Sequence, residues 1–276
     1  MMKRSFSILP GFRLASGITL FYLSLLVLIP LCALVWKTTE LSLEELVATL
    51  TNSRVLASFR VSILTALAAA FINLFLGFVI AWVLVRYPMP FKRMFDAVID
   101  LPFALPTAVA GIVLAALYAP DGWIGSFFTE LGIRIAYTPL GIVVALMFIG
   151  LPFVVRTVEP VLQDLDSQLE EAAQSLGASP WTIFRRVLFP PLIPALLTGF
   201  ALAFARGLGE YGSVIFIAGN MPMVSEIVPL LIITKLEQYD YAGATAIGLM
   251  MLVVAFIMLL VINLLQAWTR KRTGKL

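Results

Sequence analysis

The sequence predicts an all-α, polytopic membrane protein with six transmembrane helices. Three observations carry this prediction. Of the 276 residues, 61% are hydrophobic and only 13% are charged, a balance far from that of a soluble domain. The apolar residues gather into six runs, each near the roughly 20 residues that a ~30 Å hydrocarbon core requires. Between those runs no polar block is long enough to form a soluble domain.

Taken in order, the spans fall at about 16–36, 61–85, 101–119, 140–155, 192–218 and 244–268. No small-residue cleavage signal of the A-x-A kind follows the first run, so it reads as a retained span. The single cysteine, Cys32, lies inside that run and excludes an intrachain disulfide. Leu31 before it is not the small residue that a lipoprotein site wants. Histidine is absent, which removes histidine proton relays and most zinc or iron sites. No metal site is expected.

Six spans put both termini on one side, and lysine and arginine choose the side. One set of loops and tails holds Lys3, Arg4, Arg13, Arg86, Lys92, Arg93, Arg156, Arg185, Arg186, Arg270, Lys271, Arg272 and Lys275. The opposite set holds Lys37, Arg54, Arg60, Arg134 and Lys235. Thirteen of the 19 cations thus lie on one side and five on the other, with Arg206 inside a span. Both termini are expected in the cytoplasm. The external segments are 37–60, 120–138 and 219–243. The last carries Val224, Ile227, Val228, Leu230, Leu231, Ile232 and Ile233. It reads either as a re-entrant or interfacial helix lining the outer mouth or as a loop folded back on its own bundle.

The stretch 167–191 lies between spans and on the cytoplasmic side. Leu165, Leu169, Ala172, Ala173 and Leu176 recur on one helical face. Ser167 and Glu170 have the spacing of a capping box, which starts a helix at Ser167. Gly177 stands where a left-handed stop is expected. Ser179 and Pro180 start a second helix, carrying Phe184, Val187 and Leu188. Such a two-helix knob has a small apolar face and nothing of its own to bury it against. It reads as a docking element.

No G-x-x-x-x-G-K-[ST] phosphate loop is present, so the chain is not expected to hydrolyse ATP. The third span opens with Pro102, Pro106 and Thr107. Two prolines four apart free backbone carbonyls one turn earlier. Such backbone lines a polar path, or it belongs to a kinked packing helix with Ala104, Ala108, Ala110 and Gly111 against a neighbour. The fifth span is interrupted by Arg206, Gly207, Gly209, Glu210 and Gly212. Arg206 and Glu210 are one turn apart and can pair. Charges inside a membrane are functional candidates; a self-neutralising pair that only fixes packing is the other reading.

The stretch Glu171-Ala172-Ala173, three residues, then Gly177, resembles the EAA loop of bacterial ABC importer permeases. Its tail departs, with Val187 and Phe189-Pro190 near the usual Ile and Leu-Pro. Together with LPFALPTAVAG and RGLGEYGSVIFIAGN, the chain resembles the sulfate/thiosulfate permease branch of the type I ABC importers, near the molybdate permeases, over about residues 58–265. The D-L-P-F-A-L-P-T form is similar to the T-type subunit. The resemblance implies the type I importer transmembrane-domain fold over 58–265, with its coupling loop at 164–191. Residues 1–57 would form a tail, the first span and an external loop; residues 266–276 would form a basic tail.

It further implies an ATP-driven importer of sulfate or thiosulfate in a bacterial inner membrane. The partners would be two copies of a cytosolic ATPase, a second, W-type permease, a periplasmic anion-binding protein and membrane lipid, with no nucleic acid. ATP and magnesium would belong to the ATPase, and no cofactor to this chain. Coupling would fall on Leu169, Glu171, Ala172, Ala173, Leu176 and Gly177. The path or gate would fall on Pro102, Pro106, Thr107, Arg206, Gly209, Glu210 and Gly212. Thr107, Ser213 and Asn220 are the polar groups available to a hydrated anion. A molybdate or other oxyanion permease is the alternative. An ion-coupled secondary transporter would want more midspan carboxylates than Glu210, and an intramembrane enzyme would want a nucleophile–base pair.

Overall fold

The structure, a computed structural model, describes residues 11–273. Of the basic residues counted above, Lys3, Arg4 and Lys275 lie outside the described residues, as do the side chains of Arg13, Arg270, Lys271 and Arg272. The regular elements among the described residues are all helical. First come α1 (Phe12–Leu23), a π-helical turn at Ser24–Leu28 and α2 (Ile29–Thr38), which run on as one rod. This rod is apolar, and within its span, Leu14–Thr38, the most apolar stretch buries none of its residues against the rest of the described chain; only Thr38 at its end is buried. A helix of that kind needs apolar surroundings from outside the chain.

Next, α3 (Leu43–Leu50) is started by a capping box, with Ser42 Oγ accepting from the Glu45 N–H and Glu45 accepting from the Ser42 N–H. Then α4 (Ser53–Arg86) runs for 34 residues, roughly 51 Å at 1.5 Å per residue. Its buried residues are Val55, Ser58, Phe59, Ser62, Thr65, Ala66, Ala69, Ala70, Asn73, Gly77, Ala81 and Leu84. The spacing is helical and the residues are mostly small, so backbones approach closely.

The third predicted span is not one helix. The chain forms α5 (Lys92–Ala104) and α6 (Thr107–Tyr118), bent by 110°. Pro102 is accommodated inside α5. The corner belongs to Pro106: its ring forces the preceding Leu105 out of the helical region, to ψ 136°, as the residue before proline is driven. Among the described residues five helices are long and apolar enough to cross a membrane, and the bent pair, taken as one broken span, brings the number to six. After the short α7 (Gly125–Glu130), α8 (Pro139–Gln163) returns past α4.

At the end of α8 the chain makes α9 (Ser167–Ser175) and α10 (Pro180–Ile183). A π-helical turn at Phe184–Leu188 then leads straight into α11 (Phe189–Leu208). The second helix of the predicted knob is therefore the root of the fifth span, a single 29-residue rod over Pro180–Leu208. Beyond the break come α12 (Val214–Ile217), α13 (Val228–Glu237) and α14 (Tyr241–Thr273).

The core is a three-helix contact of α4, α8 and α11. Val154 of α8 is wedged between Gly77 of α4 and Gly199 of α11; a Cβ on either glycine would lie within 3 Å of it. Segment 219–243 folds back on the bundle. Val228, Leu230 and Leu231 of α13 are buried, α13 packs on α14 and α4, and the Val228 N–H donates to Ser62 Oγ at 2.9 Å.

Candidate functional site

Two regions hold the residues singled out by the sequence, and they lie at different levels of the bundle. The first is the knob, where α8 gives way to α11. Its first helix begins as predicted, but Asp166, not Ser167, is the N-cap: its carboxylate accepts from the Gln168 N–H at 2.9 Å. Glu170 is thereby released from a capping role, and it reaches Arg86 at the end of α4, at 2.5 Å. Gly177 is left-handed, φ +81°, with nothing near its Cβ position. Ser179 caps α10 by accepting from Thr182, with Pro180 at N1.

Two leucines, one on the first helix of the knob and one at its C-cap, are left uncovered by the described residues. Leu169 is 56% exposed and Leu176 is 88% exposed. Glu171 and Ala172 are exposed beside them, and Ala173 is half-buried. Beneath the knob lies an aromatic cluster that no sequence pattern had indicated. Trp181 stacks on Phe184, and Phe184 meets Trp82, Phe78 and Phe189. The Arg86 guanidinium lies 5.3 Å from the centre of the Trp82 ring. The knob is thus tied to α4 by both an ion pair and aromatic packing.

The second region is where two broken spans meet. The α5–α6 corner at Pro106 and Thr107 packs on the break after α11. A Cβ on Gly212 would run into Thr107 Oγ1, and one on Gly111 would run into the backbone of Ser213. Both glycines are required by this approach. Gly209, by contrast, closes α11 at φ −91° with open space around it, so its lack of a side chain answers no contact within the chain.

Arg206 and Glu210 form the predicted pair, Nη1 to Oε2 at 2.7 Å. Glu210 is buried, and its other oxygen accepts from the Ser213 N–H at 3.0 Å and from Ser213 Oγ at 3.1 Å. One carboxylate thus closes the whole break, 206 to 213. Ser213, considered above as a hydroxyl for the anion, is fully buried and committed to Glu210. Asn220 is left-handed, φ 46°, in the exposed turn beyond α12.

Three further charge clusters escaped the sequence reading. Arg156 of α8 contacts Asp96 and Asp100 of α5 and Glu159 on its own helix. Arg54 makes a two-pronged contact with the buried Glu226, Nε at 2.7 Å and Nη2 at 2.6 Å, fastening the start of α4 to the segment before α13. Glu226 lies 172 residues away in sequence. The third is the Arg86–Glu170 pair. No pattern of neighbouring residues announces such partners. Among the described residues no cluster of three metal-ligating side chains is present.

This architecture and this sequence have known relatives. Residues 73–275 match the model of the family described as binding-protein-dependent transport system inner membrane component. The chain is 50% identical over 260 residues to a probable sulfate transport system permease protein cysT of Nephroselmis olivacea, covering 94% of this chain and 92% of that one. It is 45% identical over 260 residues to the sulfate transport system permease protein CysT of Escherichia coli K12, covering 94% of each. Among solved structures, a bacterial ABC transporter involved in the import of the acidic polysaccharide alginate superposes with a TM-score of 0.76, at 13% identity, over 93% of this chain and 96% of that one. At that identity the likeness is one of fold. The chain belongs to the family of binding-protein-dependent transport system inner membrane components.

Proposed function

We propose that this chain is the membrane-spanning permease subunit of an ATP-driven importer of sulfate and thiosulfate. The observation that carries the reading is the 45–50% identity to sulfate permeases over more than nine tenths of each chain. The chain is a transport subunit and not itself an enzyme. Its exposed knob supports an ATPase partner: Leu169 and Leu176 offer apolar contacts that none of the described residues covers. ATP and magnesium belong to that ATPase, and this chain binds no cofactor of its own.

The excess of lysine and arginine at the knob end supports an orientation with the knob and both termini in the cytoplasm of a cell bounded by this inner membrane. Two ATPase copies sit beneath, one under this chain and one under a second, W-type permease. A periplasmic binding protein delivers the anion at the opposite end. Capture belongs to that protein, so the permease needs a path with little permanent charge, and the two charges at the break of the fifth span, Arg206 and Glu210, neutralise each other. The corner at Pro102, Pro106 and Thr107 and the break at Arg206, Gly209, Glu210 and Gly212 act together as the gate.

Deleting this chain from its host and measuring uptake of labelled sulfate, thiosulfate and molybdate tests the reading. Loss of sulfate and thiosulfate uptake, restored by the gene, is expected. Loss of molybdate uptake alone would transfer the chain to molybdate. Purifying the complex through a tag on this chain and finding two copies of it with no other permease would overturn the heteromeric arrangement.

A further inference from the structure

The cations of the bundle divide into those that a carboxylate answers and those that none does. At the end opposite the knob, Lys37 pairs with Glu40, Arg54 with Glu226, Arg206 with Glu210 and Lys235 with Asp240. Among the described residues, the cations at that end with no carboxylate are Arg60 and Arg134. Arg134 lies in an irregular loop. Arg60 lies on α4, seven residues after its start, inside a helix long and apolar enough to cross a membrane.

Arg60 is exposed, on a stripe with Leu56 and Leu64. This stripe is not a flat lipid-facing surface. Ser53, Leu56, Arg60 and Leu64 line one side of an open, largely apolar groove of about 640 Å³, with Pro139 and Met223 from two other segments on its other side. Ser53 stands seven residues before Arg60 and so on the same helical face. Its hydroxyl has no partner among the described residues. Thr65, also lining the groove, already donates to the Val61 carbonyl and adds no donor. The positive end of the α4 dipole lies at the same mouth. An unanswered guanidinium, a free hydroxyl and a helix N-terminus around one groove suit a tetrahedral oxyanion.

We propose that Arg60, with Ser53, forms an oxyanion-binding site on the outer half of the translocation path and contacts the transported dianion as it leaves the binding protein. The inference rests on the reading of the chain as a sulfate permease. Arg206, whose charge is consumed by Glu210, is not that contact. One guanidinium against a doubly charged anion leaves the anion incompletely neutralised, which suits transient passage and not capture. The same chemistry would fit the phosphate of a lipid headgroup, so the test separates the two.

The experiment uses the whole complex in proteoliposomes and reads sulfate imported per ATP hydrolysed. Arg60→Gln should lower that ratio by about tenfold, the value of one charge-assisted hydrogen bond. Arg60→Lys should recover most of it, and Arg134→Gln should match the wild type. Three results would overturn the site. The first is an unchanged ratio in Arg60→Gln. The second is a defect confined to the yield of assembled complex, which would mean that Arg60 answers a carboxylate of the second permease. The third is a ratio that depends on anionic lipid in the wild type and loses that dependence in Arg60→Gln, which would give the site to headgroup phosphate. A wild-type complex that imports no sulfate would remove the functional reading and the site with it. A wild-type complex that works beside a working Arg60→Gln removes only the site.

Discussion

Glu210 is 2% exposed, while the guanidinium that answers it, on Arg206 one turn earlier, is 38% exposed. The carboxylate is therefore the dependent partner. It is buried, it holds the Ser213 backbone and hydroxyl, and it relies on Arg206 for charge. Removing one partner of a buried pair typically costs about 3–5 kcal/mol, more than removing both. Arg206→Gln should therefore lower the yield of folded protein more than the double change Arg206→Gln/Glu210→Gln does. Glu210→Gln retains an acceptor for Ser213 and should be the milder single change. Detergent-extracted yield and thermal stability check the order. If the double variant regains assembly without uptake, charge in the break is needed for gating; if uptake also returns, the pair is structural.

The glycines around the break should behave unequally. Gly212→Ala and Gly111→Ala place a methyl group against Thr107 and the Ser213 backbone, and overpacking of this kind costs about 1–3 kcal/mol. Gly209→Ala meets nothing and keeps an ordinary backbone angle, so it should leave stability within about 0.5 kcal/mol of the parent. Thermal melts of the three variants test this. A Gly209→Ala protein with normal stability and lost uptake would place that position in the gate itself.

At the knob, Gly177→Leu puts a side chain at φ +81°, which costs roughly 1–2 kcal/mol for an L-residue. Glu171→Arg reverses an exposed charge. Both should abolish uptake while membrane insertion remains normal. Uptake at the parent level in both variants would remove the knob from coupling.

The Arg86–Glu170 pair should matter through its geometry. Both side chains are about a quarter exposed, so either charge reversal alone should weaken coupling, read as ATP hydrolysed without sulfate moved. The swap Arg86→Glu/Glu170→Arg should restore part of it. Failure of the swap, with Arg86→Lys fully active, would point to the Trp82 contact as the function of Arg86.

The reach of the sequence follows from how local each determinant is. Six apolar runs, the stop at Gly177, the start at Ser179-Pro180 and the pairing of Arg206 with Glu210 were all legible, because each depends on residues within a turn or two of one another. The capping of α9 was misread by one residue for a local reason: Asp166 and Ser167 can both accept from the first-turn amides, and the carboxylate won. Ser167–Glu170 had the right spacing for a box, but Glu170 has a better partner in Arg86, 84 residues away.

Tertiary structure alone decided the rest. Pro106 dictates a break at Leu105, but a local rule sets neither the 110° size of the bend nor the packing of Thr107 and Gly111 against Gly212 and Ser213 of another broken span. The apolar segment 219–243 reads equally as a helix lying in the interface or as one folded inward; burial of Val228 and Leu231 against α4 and α14, with Glu226 answered by Arg54, settled it. The distant partners of Arg54, Arg86 and Arg156 are likewise invisible in the sequence. They lie 172, 84 and 56 to 60 residues away, and such a pair depends on where the fold brings two side chains in space, whereas the one-turn pair of Arg206 and Glu210 could be read from spacing alone.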